Sequence, residues 1–255
     1  MSTNNHFDQL SEHFAEKIYN SAKGQIRLAL LQRDLDTLRQ SPPLHILDAG
    51  GGQGHISRWF AAQGHQLDLC DASQQMLEKA QLLNQQAGLD QQIQLHHANI
   101  EQFCVENKQL YDAVICHAVL EWVEHPQQIL QQLITRLRPG GTLSLMFYNQ
   151  HSLVLRNALK GNFRKVKKAD WRGDGKGLTP YQPLDPEQIY RWLKDQSTDI
   201  NSLSGIRCFY DYLPMKVKQN YEFDDILELE LNHYRQQPYI HMARYIHVMS
   251  TKACD

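Results

Sequence analysis

The sequence predicts an α/β domain in which a mostly parallel sheet is covered by helices on both faces. Three observations carry this. Short apolar runs alternate with longer amphipathic stretches between about residues 44 and 148. The first two runs are joined by a glycine-dense turn, DAGGGQG (48–54), and a helix-like segment. After Asn149 the rhythm breaks, and two late strand candidates follow with a helix between them.

Residues 7 to 39 carry apolar positions at helical spacing: Phe7, Leu10, Phe14 and Ile18, then Ile26, Leu30, Leu31, Leu35 and Leu38. Asn20 to Gly24 interrupts that pattern and reads as a loop, and Ser41-Pro42-Pro43 ends it. Strands are expected at 44–48, 66–70, 92–96, 112–117 and 141–148, and helices at 54–63, 73–87, 100–105 and 126–137. Ser73 supplies an N-cap for the second of these helices and Gly88 a stop. Residues 150–183 are polar and basic and read as an insertion that is partly loop. A helix opens at Asp185-Pro186, strands are expected at 203–211 and 240–250, and a helix at about 222–235. The chain reads as one domain, 1–255, with an N-terminal helical cap over about 7–40.

Bulk composition narrows the function classes. Lys and Arg total 26 against 28 acidic residues, a formal net charge of −2, which excludes strong global attraction to nucleic acid but leaves room for a local basic patch. No apolar stretch approaches the roughly 18 residues that a membrane span needs. The opening MSTNNHFDQLSEHF lacks the basic and apolar regions of a signal peptide. Five cysteines without framework spacing point to a reducing, cytoplasmic setting, with Cys70 and Cys116 buried as thiols. No metal is expected: there is no HExxH, and His96 and His97 point to opposite sides of a strand.

The chemistry concentrates between His45 and Ser73. Glycines let a backbone approach a ligand where a Cβ would clash. Asp71 closes the second strand roughly 20 residues beyond the turn, where a carboxylate accepts the hydroxyls of a ribose. That combination fits a dinucleotide or S-adenosylmethionine. The GxGxxG spacing of dinucleotide sites is absent, and the Asp48 anion would sit badly beside a pyrophosphate.

DAGGGQG resembles motif I of class I methyltransferases, whose fold is Rossmann-like with a seven-stranded, mostly parallel sheet and an antiparallel late strand. YDAVICHAVLEWV (111–123) and LRPGGTLSLMF (137–147) resemble the later motifs of the same superfamily. IYNSAKGQIR, CHAVLEWV, the GNF segment, LDPEQIYRWL, RCFYDYL and PYIHMARYIHV extend the resemblance, from about residue 7 to 248, to the tRNA 5-carboxymethoxyuridine methyltransferase family. The resemblance implies methyl transfer from S-adenosylmethionine to the carboxylate of 5-carboxymethoxyuridine at the tRNA wobble position. It also implies cofactor contacts at Arg27, Gly50, Gly51, Asp71, Asn99, Ile100 and His117, and a tRNA anticodon stem-loop as partner. Two other readings share the cofactor half: a small-molecule carboxyl, amine or phenol methyltransferase, and a non-catalytic binding protein.

Position alone makes Arg27, at the end of the loop reading, a solvated arginine; the resemblance implies that it holds the cofactor's carboxylate. His117 closes a strand facing the site and is assigned no base role. A substrate carboxylate is ionised at neutral pH, so it needs alignment and desolvation rather than a base. Candidates for positioning it are Tyr19, Tyr148, Arg207, Tyr210, Arg244 and Tyr245, with Arg207 or Arg244 as its ion-pair partner. Arg164, Lys165, Lys167, Lys168, Arg172 and Lys176, interleaved with Phe163 and Trp171, read by composition as a solvated loop. Under the resemblance they are the candidate RNA surface.

Overall fold

The computed structural model describes residues 21–169, 171 and 182–254. Tyr19, Arg172 and Lys176 lie outside the described residues. Seven strands among the described residues form one sheet: β1 (His45–Ala49), β2 (Gln66–Asp71), β3 (Ile93–His97), β4 (Tyr111–His117), β5 (Leu137–Tyr148), β6 (Thr198–Ile206) and β7 (Tyr245–Lys252). Their order is β3-β2-β1-β4-β5-β7-β6. β1 to β5 pair in parallel, and β7 runs antiparallel between β5 and β6. The order reverses direction at β1/β4, and the crevice for ligands in such sheets lies outside the carboxyl ends of the strands there.

Both faces are covered, which is why the central strands read as continuous apolar runs. On one face Leu47, Cys70, Val114 and Leu145 pack against α4 (Ile100–Glu106), α5 (Pro126–Thr135) and α8 (Pro186–Asp195). On the other, Ile46, Leu69 and Ile115 meet α1 (Ala22–Arg39), α2 (His55–Ala61) and α3 (Gln74–Ala87). α1 continues over Met146 and Ile206, where it joins α10 (Phe223–His233). The expected caps of α3 are present: Ser73 Oγ accepts from the Met76 amide, and Gly88 ends the helix.

Four expectations need correction. The interruption at Asn20 to Gly24 is, from Ser21 onward, a helix start: Ser21 Oγ accepts from the Gly24 amide at 3.2 Å, so Arg27 lies inside α1 rather than at a loop end. The insertion opens as helix α6 (Gln150–Leu159), capped by Asn149 and anchored by buried Leu153, followed by the short α7 (Phe163–Lys167). β6 stops at Ile206 because Arg207 takes a φ of +66°, which strands do not. α11 (Tyr239–Met242) occupies the start of the last expected strand, delaying β7 to Tyr245.

Cys70, Cys104, Cys116 and Cys208 are buried free thiols. His96 is taken up by Asp68, with Nε2 2.6 Å from Oδ1. Among the described residues no group of three or more metal-capable side chains occurs, and no helix is long and apolar enough to cross a membrane.

One polar contact anchors α1. Asp34 lies buried between His247 Nδ1 at 2.7 Å and Arg235 Nη2 at 2.6 Å. Burial pushes the Asp34 carboxyl up, but its pairing with His247 and Arg235 outweighs that and holds it below its usual range. A lowered folded-state value means that this stabilisation is present above the unfolded carboxylate range and is lost as pH falls through the folded value. Asp34→Ala leaves His247 buried without its acceptor and is expected to cost about 3–5 kcal/mol, read by urea unfolding at pH 7. A loss below about 1 kcal/mol contradicts the anchoring role.

Candidate functional site

The carboxyl ends of β1, β2, β3, β4 and β5 share one edge of the sheet. The antiparallel β7 begins on that edge, since Tyr148 pairs in register with Tyr245, and Ile206, the last residue of β6, pairs with Tyr245 too. Hence the glycine turn, Asp71, Asn99, His117, Tyr148, Arg207, Arg244 and Tyr245 all belong to the same rim.

The turn after β1 is built for close approach. A Cβ on Gly51 would lie 2.7 Å from Asp48 Oδ2 and 2.8 Å from Leu69 Cγ. Gly50 has a φ of +74°, and a Cβ there would lie 2.6 Å from Val119 Cγ2. The amides of Gly50 and Gly51 donate to the Cys70 carbonyl at 2.8 and 3.4 Å, and that of Gly52 donates to Asp71 Oδ2 at 2.9 Å. These three amides are thus spent on holding the turn to β2. The glycines let the turn pack this tightly, and Asp71 is oriented by the same turn, its Oδ1 accepting from the Ser73 amide at 2.8 Å. Beneath the turn, burial pushes the Asp48 carboxyl up to about 6, while the Ser57 hydroxyl donates to it at 2.5 Å.

Asn99 caps α4: its Oδ1 accepts from the Gln102 amide at 2.8 Å, and Gln102 Oε1 accepts from the Asn99 amide at 3.4 Å. Its side chain is therefore committed, and Ile100 is buried beside it. Arg27 reaches this rim from α1. Burial, the Arg58 charge and then the Arg27 charge lower His55 to about 4. His117 is held well below its usual range by burial, with His247 and Arg27 adding to it. Glu121, fully buried in the turn after β4, is pushed by burial up to about 8 despite opposing backbone bonds and Arg27. Glu121 was not singled out in the sequence, although it stands within the CHAVLEWV motif.

A cationic, aromatic cluster occupies the β5/β7/β6 end of the rim. The Arg244 guanidinium lies 4.4 Å from the centroid of Tyr148, and its buried Nε and Nη1 have no hydrogen-bond partner among the described residues. Arg207, nearly buried, donates through Nε and Nη2 to Asp211 Oδ2 at 2.7 and 2.6 Å and sits 5.5 Å from the Tyr245 ring. Tyr148 and Tyr245 meet edge to face at 5.4 Å, and burial raises the Tyr148 hydroxyl to about 12. Lys218, from α9 (Met215–Asn220), lies 4.5 Å over the Tyr210 ring.

Electrostatics ties further groups to this cluster. Burial, joined by the Arg207, Arg156 and Arg244 charges and opposed by Asp211, lowers the Lys23 ammonium. Burial, then the Arg156 and Arg207 charges, lowers Lys218 against the same Asp211. Burial pushes the Asp211 carboxyl up, but Arg207, Arg244 and Lys23 together outweigh it and hold it below its usual range. Arg207, Arg244, Lys23 and Lys218 thus act on Asp211, with Arg156 beside Lys23 and Lys218 and Glu230 near Arg207, a surplus of positive charge suited to an anion. The segment after β6 is held by Glu230, which accepts the amides of Cys208, Phe209 and Tyr210 at 2.6, 3.0 and 2.9 Å.

Of the positioning candidates, the structure brings together Tyr148, Arg207, Tyr210, Arg244 and Tyr245, while Tyr19 lies outside the described residues. Lys23, Arg156, Asp211 and Lys218 were missed. Asp211, four residues after Arg207, carried the only local signal.

The basic segment is separate. Arg164, Lys165 and Lys167 lie on α7 and Lys168 caps it, all exposed, as is Phe163. α7 follows α6 through a turn closed by the Asn162 side chain on Asn157 at 3.1 Å. α6 itself carries Arg156 to the cationic cluster.

Residues 47–145 match the family described as a methyltransferase domain. A tRNA 5-carboxymethoxyuridine methyltransferase of Escherichia coli strain K12 is 41% identical over 249 residues, covering 96% of this chain and 95% of that protein. A ubiquinone biosynthesis O-methyltransferase of Rickettsia canadensis is 30% identical over 192 residues, or 74% of this chain and 77% of the other. Among solved structures, magnesium protoporphyrin IX methyltransferase from Synechocystis PCC 6803 with bound SAH superposes with a TM-score of 0.65 at 17% identity, over 98% of both chains. That last likeness speaks for the fold.

Proposed function

The chain belongs to the tRNA 5-carboxymethoxyuridine methyltransferase family, and on that premise we propose that it methylates the carboxylate of 5-carboxymethoxyuridine at the tRNA wobble position. S-Adenosylmethionine is the methyl donor, the product is the methyl ester, and the setting is the cytoplasm. The observation that carries the acceptor half is Arg244, whose buried Nε and Nη1 lack partners within a surplus of positive charge. Buried donors left unpaired are costly, and a substrate carboxylate supplies what they lack.

The residues present fit the cofactor. Asp71, half-buried at the end of β2 and already oriented by two amides, is the acceptor for the ribose hydroxyls. Arg27 is the counterion for the carboxylate of the methionine moiety, and the backbone at Asn99 and Ile100 borders the adenine. When bound, S-adenosylmethionine supplies an electrophilic methyl on a sulfonium. One carbon–oxygen bond forms, one carbon–sulfur bond breaks with its electron pair leaving on sulfur, and no proton moves. The protein's task is alignment and exclusion of water. Neither His117 nor Glu121 is needed as a base, in keeping with an acceptor that is ionised beforehand.

Arg207 is charge-balanced by Asp211, whereas Arg244 has donors to spare. Arg164, Lys165, Lys167 and Lys168 meet the phosphates of the anticodon stem-loop, and Phe163 offers a ring for a splayed base. The insertion over about 150–183 thus forms the RNA-binding part of a single domain, with Arg172 also assigned to it.

The test is purified protein with S-adenosylmethionine and tRNA carrying the free carboxymethoxy group, followed by mass spectrometry of nucleosides. Methyl ester at the wobble uridine is the expected product, and its absence sinks the reading. Lys165→Glu with Lys168→Glu is expected to raise the KM for tRNA about tenfold or more without changing SAH affinity. Equal efficiency on the free nucleoside and on tRNA would favour a small-molecule acceptor instead.

A further inference from the structure

A continuous chain of polar side chains runs through the apolar layer beneath the rim. His117 Nε2 lies 2.8 Å from Ser144 Oγ, and Ser144 Oγ lies 2.8 Å from His247 Nε2. His247 Nδ1 lies 2.7 Å from Asp34 Oδ2, and Asp34 Oδ1 accepts from Arg235 Nε at 3.0 Å and Nη2 at 2.6 Å. The chain crosses β4, β5, β7 and α1 in turn, and Ser144, His247 and Asp34 are all buried. Apolar side chains would fill this layer at less cost, so a fully bonded polar series here is a specifying feature.

The bonding has a direction. A carboxylate only accepts, so His247 Nδ1 carries a hydrogen. With Asp34 also paired to Arg235, a His247 imidazole that keeps only its Nδ1–H presents Nε2 as an acceptor for the Ser144 hydroxyl. Having donated, the Ser144 oxygen accepts from His117 Nε2–H. A neutral imidazole has one N–H, so His117 Nδ1 is a bare acceptor, and it takes no hydrogen bond from any described residue. Burial, the largest influence on it, holds His117 well below its usual range.

We infer that Asp34, His247 and Ser144 are positioning residues that lock His117 as the Nε2–H tautomer, leaving Nδ1 to accept a hydrogen bond from an N–H or O–H donor of the bound cofactor. This rests on the reading that His117 borders the cofactor cleft. The relay costs nothing at the moment of binding, because the acceptor is set before the ligand arrives.

The experiment is nitrogen NMR of protein labelled at histidine, with and without SAH, alongside calorimetric SAH binding. His117 is expected to show a protonated Nε2 and an unprotonated Nδ1, with Nδ1 shifting when SAH is added. Ser144→Ala is expected to mix the two tautomers and weaken SAH binding about tenfold, and Ser144→Thr, which keeps the hydroxyl, to restore both. A cationic His117 or an Nδ1–H tautomer in the unmodified protein overturns the relay without any variant. An intact Nε2–H tautomer with no Nδ1 shift, and SAH affinity indifferent to Ser144→Ala, overturns its role toward the cofactor. Failure of the unmodified protein to bind SAH at all would instead strike the cofactor reading.

Discussion

Asp71→Asn is expected to weaken SAH binding about 100-fold while leaving the fold in place. The Asp71 carboxylate already accepts the Gly52 amide at Oδ2 and the Ser73 amide at Oδ1, so it is aimed before any ligand arrives. On the proposed cofactor reading, it takes the two ribose hydroxyls as charge-assisted bonds. An amide at this position removes the charge, and its NH2 faces one of the two backbone donors, so the turn loses a bond as well. Calorimetry with SAH reads the loss in affinity, and a thermal melt separates it from unfolding. An unchanged Kd in a folded variant removes Asp71 from the cofactor site.

Arg244→Ala is expected to lower kcat/KM for tRNA about 100-fold, with the larger part in KM. The substrate carboxylate carries a full negative charge on binding and loses it as the ester forms. A cation beside it therefore holds the ground state more tightly than the transition state, and truncation shows first in KM. Arg244→Lys keeps the charge but not the two-pronged fork, so it is expected to recover part of the loss. SAH affinity stays as in the parent protein, because Arg244 serves the acceptor. A variant with parental kinetics would remove Arg244 from the acceptor site and point to Arg207.

Much of the architecture was legible because it is written in local pattern. Parallel strands buried on both faces leave apolar runs, as at Ile46–Leu47 and Val114–Cys116, and Ser73 and Gly88 mark their helix ends by side-chain and backbone chemistry alone. The errors fell where side-chain contacts override such signals. Ser21 recruits the Gly24 amide and makes helix of what reads as a breaker. Arg207 leaves the strand conformation to meet Asp211, and Glu230 gathers the three amides that follow.

The two halves of the site differ in the same way. The glycine turn and Asp71 lie within one strand–helix–strand unit, so their spacing along the chain dictates their meeting in space. The cationic cluster draws Lys23 from α1, Arg156 from α6, Arg207 and Asp211 from beyond β6, Lys218 from α9 and Arg244 from before β7. Spacing cannot foretell that gathering. The sequence by itself determined the fold and the glycine turn with Asp71, because those arise from short-range periodicity and turn chemistry. Only the tertiary structure decided that Arg244 keeps unpaired donors, that Asp211 occupies Arg207, and that Asp34 reaches His117 through His247 and Ser144, because these depend on antiparallel pairing of β7 and on how α1 is seated across it.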